Sequence, residues 1–255
     1  MASQGTAALG GAMLAAMIGR IGGSELLGMF TVIVALLGTL GMIARRGQGS
    51  LLTRAVAWSE HREGPAASLT LLVLAIRRSL VPSLLLGVIG AIFLWSGVFG
   101  IPYPGAVIVF PVALLLVTAL SLFAGYARGT SRPWLAPMFE MGGISLVIFI
   151  VLVIVVALWG HPPDPSVMAI LLLAMLLLAL IGGTVARRDL PAASKLLSPD
   201  EDQRNELRHG EIPFTIIAVA SFLVQTGSFL LAAPFLSEAD LGLLRAAERL
   251  ALLVS

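Results

Sequence analysis

Long apolar runs without a single charge alternate along the chain with short charged segments. The uncharged runs are Met1 to Gly19, Leu26 to Ala44, Ser79 to Ala127, Met141 to Gly160, Pro165 to Ala186 and Ile212 to Ser237. Most match the ~20 apolar residues that carry an α-helix across a hydrocarbon layer of ~30 Å. The third is too long for one crossing and contains Gly100-Ile101-Pro102-Tyr103-Pro104-Gly105, a turn signature, so it reads as two spans, Leu80 to Phe99 and Ala106 to Ala127. An eighth span starts near Ala239. The runs are continuously apolar and do not alternate with period two, which predicts helices and not barrel strands. The expected fold class is an all-α polytopic membrane protein. Met1 to Gly19 lacks a positively charged leader and is read as a short first span, not a signal peptide.

Composition agrees. Hydrophobic residues make up 58% and charged residues 12% of the chain, with a mean hydropathy of +1.00; soluble domains carry ~25% charged residues. The absence of cysteine removes disulfides, thiolate nucleophiles and cysteine metal sites. A net charge of +2 is too small to argue for a nucleic-acid partner.

The placement of the charges says more than their sum. Arg45, Arg46, Arg54, Arg62, Arg77 and Arg78 lie between spans two and three, Arg128 and Arg132 between four and five, and Arg187, Arg188, Lys195, Arg204 and Arg208 between six and seven. By the positive-inside rule these connections are cytoplasmic, and so is the N-terminus. The opposite connections hold Arg20 with Glu25, Asp164, Glu238 and Asp240.

Six spans apart, Leu27-Gly28-Met29-Phe30 recurs as Leu241-Gly242-Leu243-Leu244, each following a short acidic turn. An even number of intervening spans gives both copies one membrane orientation, the signature of a parallel repeat. The expected organisation is a six-helix lobe over residues 1–188, a polar cytoplasmic linker over 189–211 and the first two helices of a second lobe over 212–255. A second lobe as long as the first needs further helices, so the sequence reads as C-terminally incomplete.

The segment from Ile18-Gly19-Arg20-Ile21-Gly22-Gly23-Ser24-Glu25 to Phe30, followed by Gly47-Gln48-Gly49-Ser50-Leu51-Leu52-Thr53-Arg54, resembles the opening of polysaccharide flippases of the multidrug/oligosaccharidyl-lipid/polysaccharide exporter superfamily. Tyr126 to Pro133 is similar to that family's inner loop, and Gln225 through Leu241 to Leu250 to the start of its second lobe. The resemblance implies a MATE-like exporter fold, two six-helix lobes in a V that alternate between inward-open and outward-open forms. It implies movement of undecaprenyl-diphosphate-linked glycan across the bacterial inner membrane for O-antigen, capsule or exopolysaccharide assembly, beside polymerase and other assembly proteins. Many relatives carry an Asp shortly after the span-seven glutamine; here stand Thr226, Gly227 and Ser228, which lowers the expectation of cation-coupled antiport. Two alternatives remain: a drug or metabolite exporter of the same superfamily, and a non-transporting subunit or polymerase of polysaccharide assembly.

Translocation of such a substrate needs cations for two phosphates and polar groups for sugars, not covalent chemistry. Ionisable residues within spans are costly in lipid and mark cavities. Arg245, Glu248 and Arg249 share one helical face by their i, i+3, i+4 spacing. They read equally as a phosphate cradle, since arginine offers two parallel donors, or as a pair stitching the lobes. Gln225 is either interhelical glue or a substrate contact. Arg20 is a ligand or a snorkelling cation, and Arg54 a collector of lipid diphosphate or a topogenic anchor. The chain shows no phosphate loop, no HExxH and no paired-aspartate motif, and His61, His161 and His209 divide between the two membrane sides. It is expected to be no enzyme and to need no metal or cofactor.

Overall fold

A computed structural model describes residues 2–62, 64–97, 106–160, 164–188, 211–237, 239–244 and 247, and no strand occurs among them. The helices are α1 (Ala2–Arg45), α2 (Gln48–Arg62), α3 (Pro65–Trp95), α4 (Ala106–Gly129), α5 (Ala136–Phe139), α6 (Met141–Trp159), α7 (Asp164–Arg188) and α8 (Glu211–Ala232), with a 3₁₀ turn, Pro133–Leu135, before α5. Five stretches among the described residues are long and apolar enough to cross a bilayer: Gly10–Arg45, Ala67–Trp95, Ile108–Gly129, Met141–Leu158 and Val167–Arg188. The chain is an all-α polytopic membrane protein.

The first of these stretches is a hairpin. Gly23 has φ 71° and ψ −168°, a region that only glycine occupies without strain. A Cβ on Gly19 would lie 3.8 Å from Leu27 Cδ2, and Gly11, Leu14 and Ala15 share a small cavity with Phe30, Thr31 and Val34. Residues 2–22 and 24–45 thus run antiparallel as the two expected spans.

The connection between spans two and three differs from expectation. Helix α3 begins at Pro65, well before Leu80, and α2 precedes it as a helix of its own. The arginines at 77 and 78 do not interrupt the helix, because a helix leaving the bilayer continues wherever it finds an apolar partner. That partner is α2, which buries Leu51, Leu52, Ala55 and Val56 against Leu69, Leu71, Leu72 and Ala75. Helix α2 in turn crosses α4 on small residues. A Cβ on Gly125 would stand 2.7 Å from Gly49 O, and one on Gly129 2.7 Å from Thr53 O. The Thr53 hydroxyl lies 3.1 Å from the Gly125 carbonyl oxygen, its acceptor across that crossing. This is the small-residue packing by which membrane helices approach closely.

Two buried clusters result. The larger joins both arms of α1 with α3, α4, α6 and α7 through residues such as Ile33, Leu37, Phe110, Leu114, Leu152 and Leu171. The smaller joins α2, the first half of α3 and the end of α4, with Leu122 and Tyr126, to Ala186 of α7.

The outward apolar side chains show where lipid lies. On α3 the exposed large hydrophobics run from Leu80 to Trp95; on α6 from Met141 to Leu158; on α7 from Leu173 to Ile181; on α8 they start at Ile212. The smaller cluster lies beyond this band, at the end that carries Arg45, Arg77, Arg78, Arg128 and Arg187. We call it the arginine-rich end.

After α8 the chain turns, and Ser237 opens a last described helix over residues 239–244. The Asp240 N–H donates to Ser237 Oγ at 3.2 Å while the Ser237 hydroxyl donates to Asp240 Oδ2 at 2.6 Å, a reciprocal cap of the capping-box kind. Gly242 packs against the backbone of Ser24, at the tip of the α1 hairpin. The proposed turn over 100–105 and nearly all of the 189–211 linker lie outside the described residues.

Candidate functional site

Of the expected site residues, the two whose side chains are described, Arg20 and Arg54, do not meet. Arg20 is exposed on the first arm of α1, just before the Gly23 turn, and Arg54 is exposed on α2 at the arginine-rich end, where it has an interaction partner. The two stand at opposite ends of the 24–45 arm. The backbone of Gln225 belongs to α8, while its side chain lies outside the described residues. Arg245, Glu248 and Arg249 lie outside them altogether.

The structure gathers polar groups elsewhere, at the junction of α1, α2, α3 and α8. The sequence Arg46-Gly47 makes the turn between α1 and α2 with φ 49° and 70°. Both values are left-handed, and for Arg46 this is an unusual conformation. A Cβ on Gly47 would stand 2.6 Å from Phe214 Cβ and 2.9 Å from the Thr215 nitrogen. Only glycine therefore permits both the turn and the seating of α8.

Gln48, 2% exposed, donates through Nε2 to Glu211 Oε1 at 3.4 Å. Arg78 reaches the same oxygen at 3.5 Å. Glu211 thus ties the first turn of α8 to both α2 and α3. The oxygen of the Gln48 amide, Oε1, is buried without a partner, a costly state for a polar atom.

Beside this clasp the chain leaves a cavity of about 170 Å³ lined by Met42, Arg45, Gly47, Gly49, Ser50 and Phe214. Arg45 is half-buried, and its Nε donates to the Gly41 carbonyl at 3.0 Å, which fixes the plane of the guanidinium. Its charged neighbour is Arg128, itself paired with Glu140 at the start of α6. Counting Arg45, Arg78 and Arg128 against Glu140 and Glu211, the junction keeps one positive charge in excess. An anion is what such a junction can hold.

Several hydroxyls within the spans are satisfied on their own helices, while that of Thr118 is buried without a partner. The hydroxyls of Thr31, Ser79 and Ser83 donate to carbonyls one turn back, at 2.7 Å, 2.8 Å and 2.6 Å. No group of three or more potential metal ligands occurs among the described residues.

In the sequence alone Arg45 and Arg78 stand out only as topogenic charges and Glu211 as the end of a linker. The one signal that could have singled out this junction was Gly47-Gln48-Gly49, a polar glycine-rich break at a span end.

A family model described as polysaccharide biosynthesis protein matches residues 1–255. No curated protein and no solved structure matches the chain.

Proposed function

Because the chain belongs to the family of polysaccharide biosynthesis proteins, we propose that it translocates a lipid-diphosphate-linked oligosaccharide across the bacterial inner membrane for assembly of a surface polysaccharide. Family membership together with a polytopic helical fold carries this reading. The work is alternating access: two lobes rock about a central cavity, and the glycan passes without any bond being made or broken. We therefore assign no catalytic residue and no cofactor. The arginine-rich end faces the cytoplasm, where the lipid-linked glycan is made, and the N-terminus lies on that side.

The junction supports the reading in a specific way. Glu211 joins the first turn of α8 to α2 and α3, so at the cytoplasmic end weak polar contacts, beside the packing of Phe214 on Gly47, hold the start of the second lobe to the first. Rocking of one lobe against the other needs contacts that separate at small cost. Arg20, Gln225 and the Arg245, Glu248, Arg249 face remain candidates for contacts with the diphosphate and sugars inside the cavity, and Arg54 for first capture at its mouth. Polymerase and other assembly proteins are the expected neighbours.

The test is deletion in the native host. Surface polysaccharide should be lost while its lipid-linked precursor accumulates on the inner leaflet. Undiminished surface polysaccharide in the deletion strain would overturn the proposal, and loss with no precursor on the inner leaflet would move the protein to an assembly role.

A further inference from the structure

The cavity at Arg45 stands where the lipid-facing band ends. Phe214, in its wall, and Ile212, two residues before it, are exposed on α8, and Leu80 marks the same boundary on α3. Beyond that level the exposed side chains turn to Arg46 and Arg77. This is the depth at which the phosphates of a leaflet stand.

We propose that this cavity binds the phosphate of a lipid headgroup from the leaflet at the arginine-rich end, with Arg45 as the cation. Its extension to the diphosphate of a polyprenyl glycan carrier rests on the translocation reading above. Several observations converge on the site. The volume of about 170 Å³ is several times the ~30 Å³ share of a water molecule, enough for a phosphate group and too small for an oligosaccharide, which would remain outside. Gly47 and Gly49 form part of the wall and leave the space open for want of side chains.

Arg45 lines the cavity with its Nε committed to the Gly41 carbonyl, so its two terminal nitrogens are the donors left for a bidentate anion. The carboxylates of the junction are engaged elsewhere, Glu140 by Arg128 and Glu211 by Arg78 and Gln48. Arg128 adds its repulsion to Arg45, and an anion between them and the leaflet relieves it. Finally, Ser50 is exposed in the wall and offers a hydroxyl donor, while Phe214 supplies an apolar surface for the first carbons of a lipid chain.

The experiment places the chain in nanodiscs of neutral phosphatidylcholine and measures saturable retention of three probes: undecaprenyl diphosphate, phosphatidylglycerol and inorganic pyrophosphate. R45Q should weaken retention of the bound lipid about tenfold, or ~1.4 kcal/mol. S50E, which places a carboxylate at an exposed position of the wall, should do the same without disturbing a buried contact. R62Q removes an equal charge from the far end of α2 and should change retention by less than about threefold, as for a surface cation.

Undecaprenyl diphosphate retained in preference to phosphatidylglycerol, with both dependences, assigns the site to the carrier; equal retention of the two lipids, again with both dependences, assigns it to phospholipid headgroups. Retention of pyrophosphate alone overturns the lipid assignment, and retention indifferent to both R45Q and S50E overturns the site. These outcomes are separate from the deletion phenotype: a strain that exports polysaccharide without this protein removes the translocation reading and leaves Arg45-dependent binding untouched.

Discussion

Gly47 and Phe214 meet so closely that no side chain fits between them: a Cβ built on the glycine would lie 2.6 Å from that of the phenylalanine. The contact joins residues far apart in sequence and sets how α8 seats on the turn between α1 and α2.

The Gly47→Ala substitution is therefore penalised twice. Its φ of 70° costs a non-glycine residue ~1–2 kcal/mol, and overpacking adds ~1–3 kcal/mol. A thermal melt in detergent should show a clear fall in Tm that Phe214→Ala does not recover in the double variant, because the clash is with the Phe214 Cβ and the backbone, which alanine keeps. An unchanged Tm for Gly47→Ala would mean that α8 does not seat at this turn.

The crossing of α2 with α4 makes a second claim. Thr53→Val removes a hydroxyl placed 3.1 Å from Gly125 O and 3.0 Å from Gly49 O, for a loss of ~1 kcal/mol. Gly125→Val should cost more, because its Cβ would stand 2.7 Å from the Gly49 carbonyl oxygen. The order of the two Tm values is the readout, and the reverse order would argue against close helix approach at this point.

Charge reversal examines the clasp. Arg78→Glu places two carboxylates together at Glu211, and Glu211→Arg places two guanidiniums together at Arg78. The double reversal restores an opposite pair. With both partners partly exposed, the coupling in a double-mutant cycle on thermal stability should be ~0.5–1 kcal/mol, falling as salt is added. Strict additivity of the two single changes would remove the ion pair from the account.

Orientation can be mapped on a chain that contains no cysteine. Ser50 and Ser96 are both exposed, at the arginine-rich end and at the opposite end of α3. In intact spheroplasts an impermeant maleimide should label Ser96→Cys at once, and Ser50→Cys only after permeabilisation. The opposite pattern would invert the proposed topology.

How far the sequence disclosed this molecule depended on what lay around each segment. Helices α4, α6 and α7 fall within about two residues of the charge-free runs, because lipid on one side and apolar neighbours on the other leave no place for charge inside them. The same rule misplaced the start of α3. Residues 65–78 are helical although they lie outside the lipid-facing band, and their apolar side chains find a partner in α2. That helix had its own trace in Leu51, Leu52, Ala55, Val56 and Ser59, an amphipathic spacing in a segment read only for its charges.

The junction was less legible still. Gln48 and Glu211 are separated by 163 residues, and nothing local to either one names the other. Arg20 and Arg54, chosen one by one as cations near span ends, turned out to stand at opposite ends of one helix arm. Pairing of distant residues is a property of packing, and a single sequence carries it only where a motif spans both partners.

The smaller buried cluster has a consequence for how the protein comes apart. Water competes with the packing of Leu52, Leu72 and Leu122, since this cluster lies beyond the lipid-facing band, whereas lipid tails compete with the contacts of the spans. A chaotrope dissolved in the aqueous phase thus finds its target at the arginine-rich end first. Urea should therefore loosen α2 from α3 at concentrations that leave the bilayer-embedded helices together, each region answering to its own solvent.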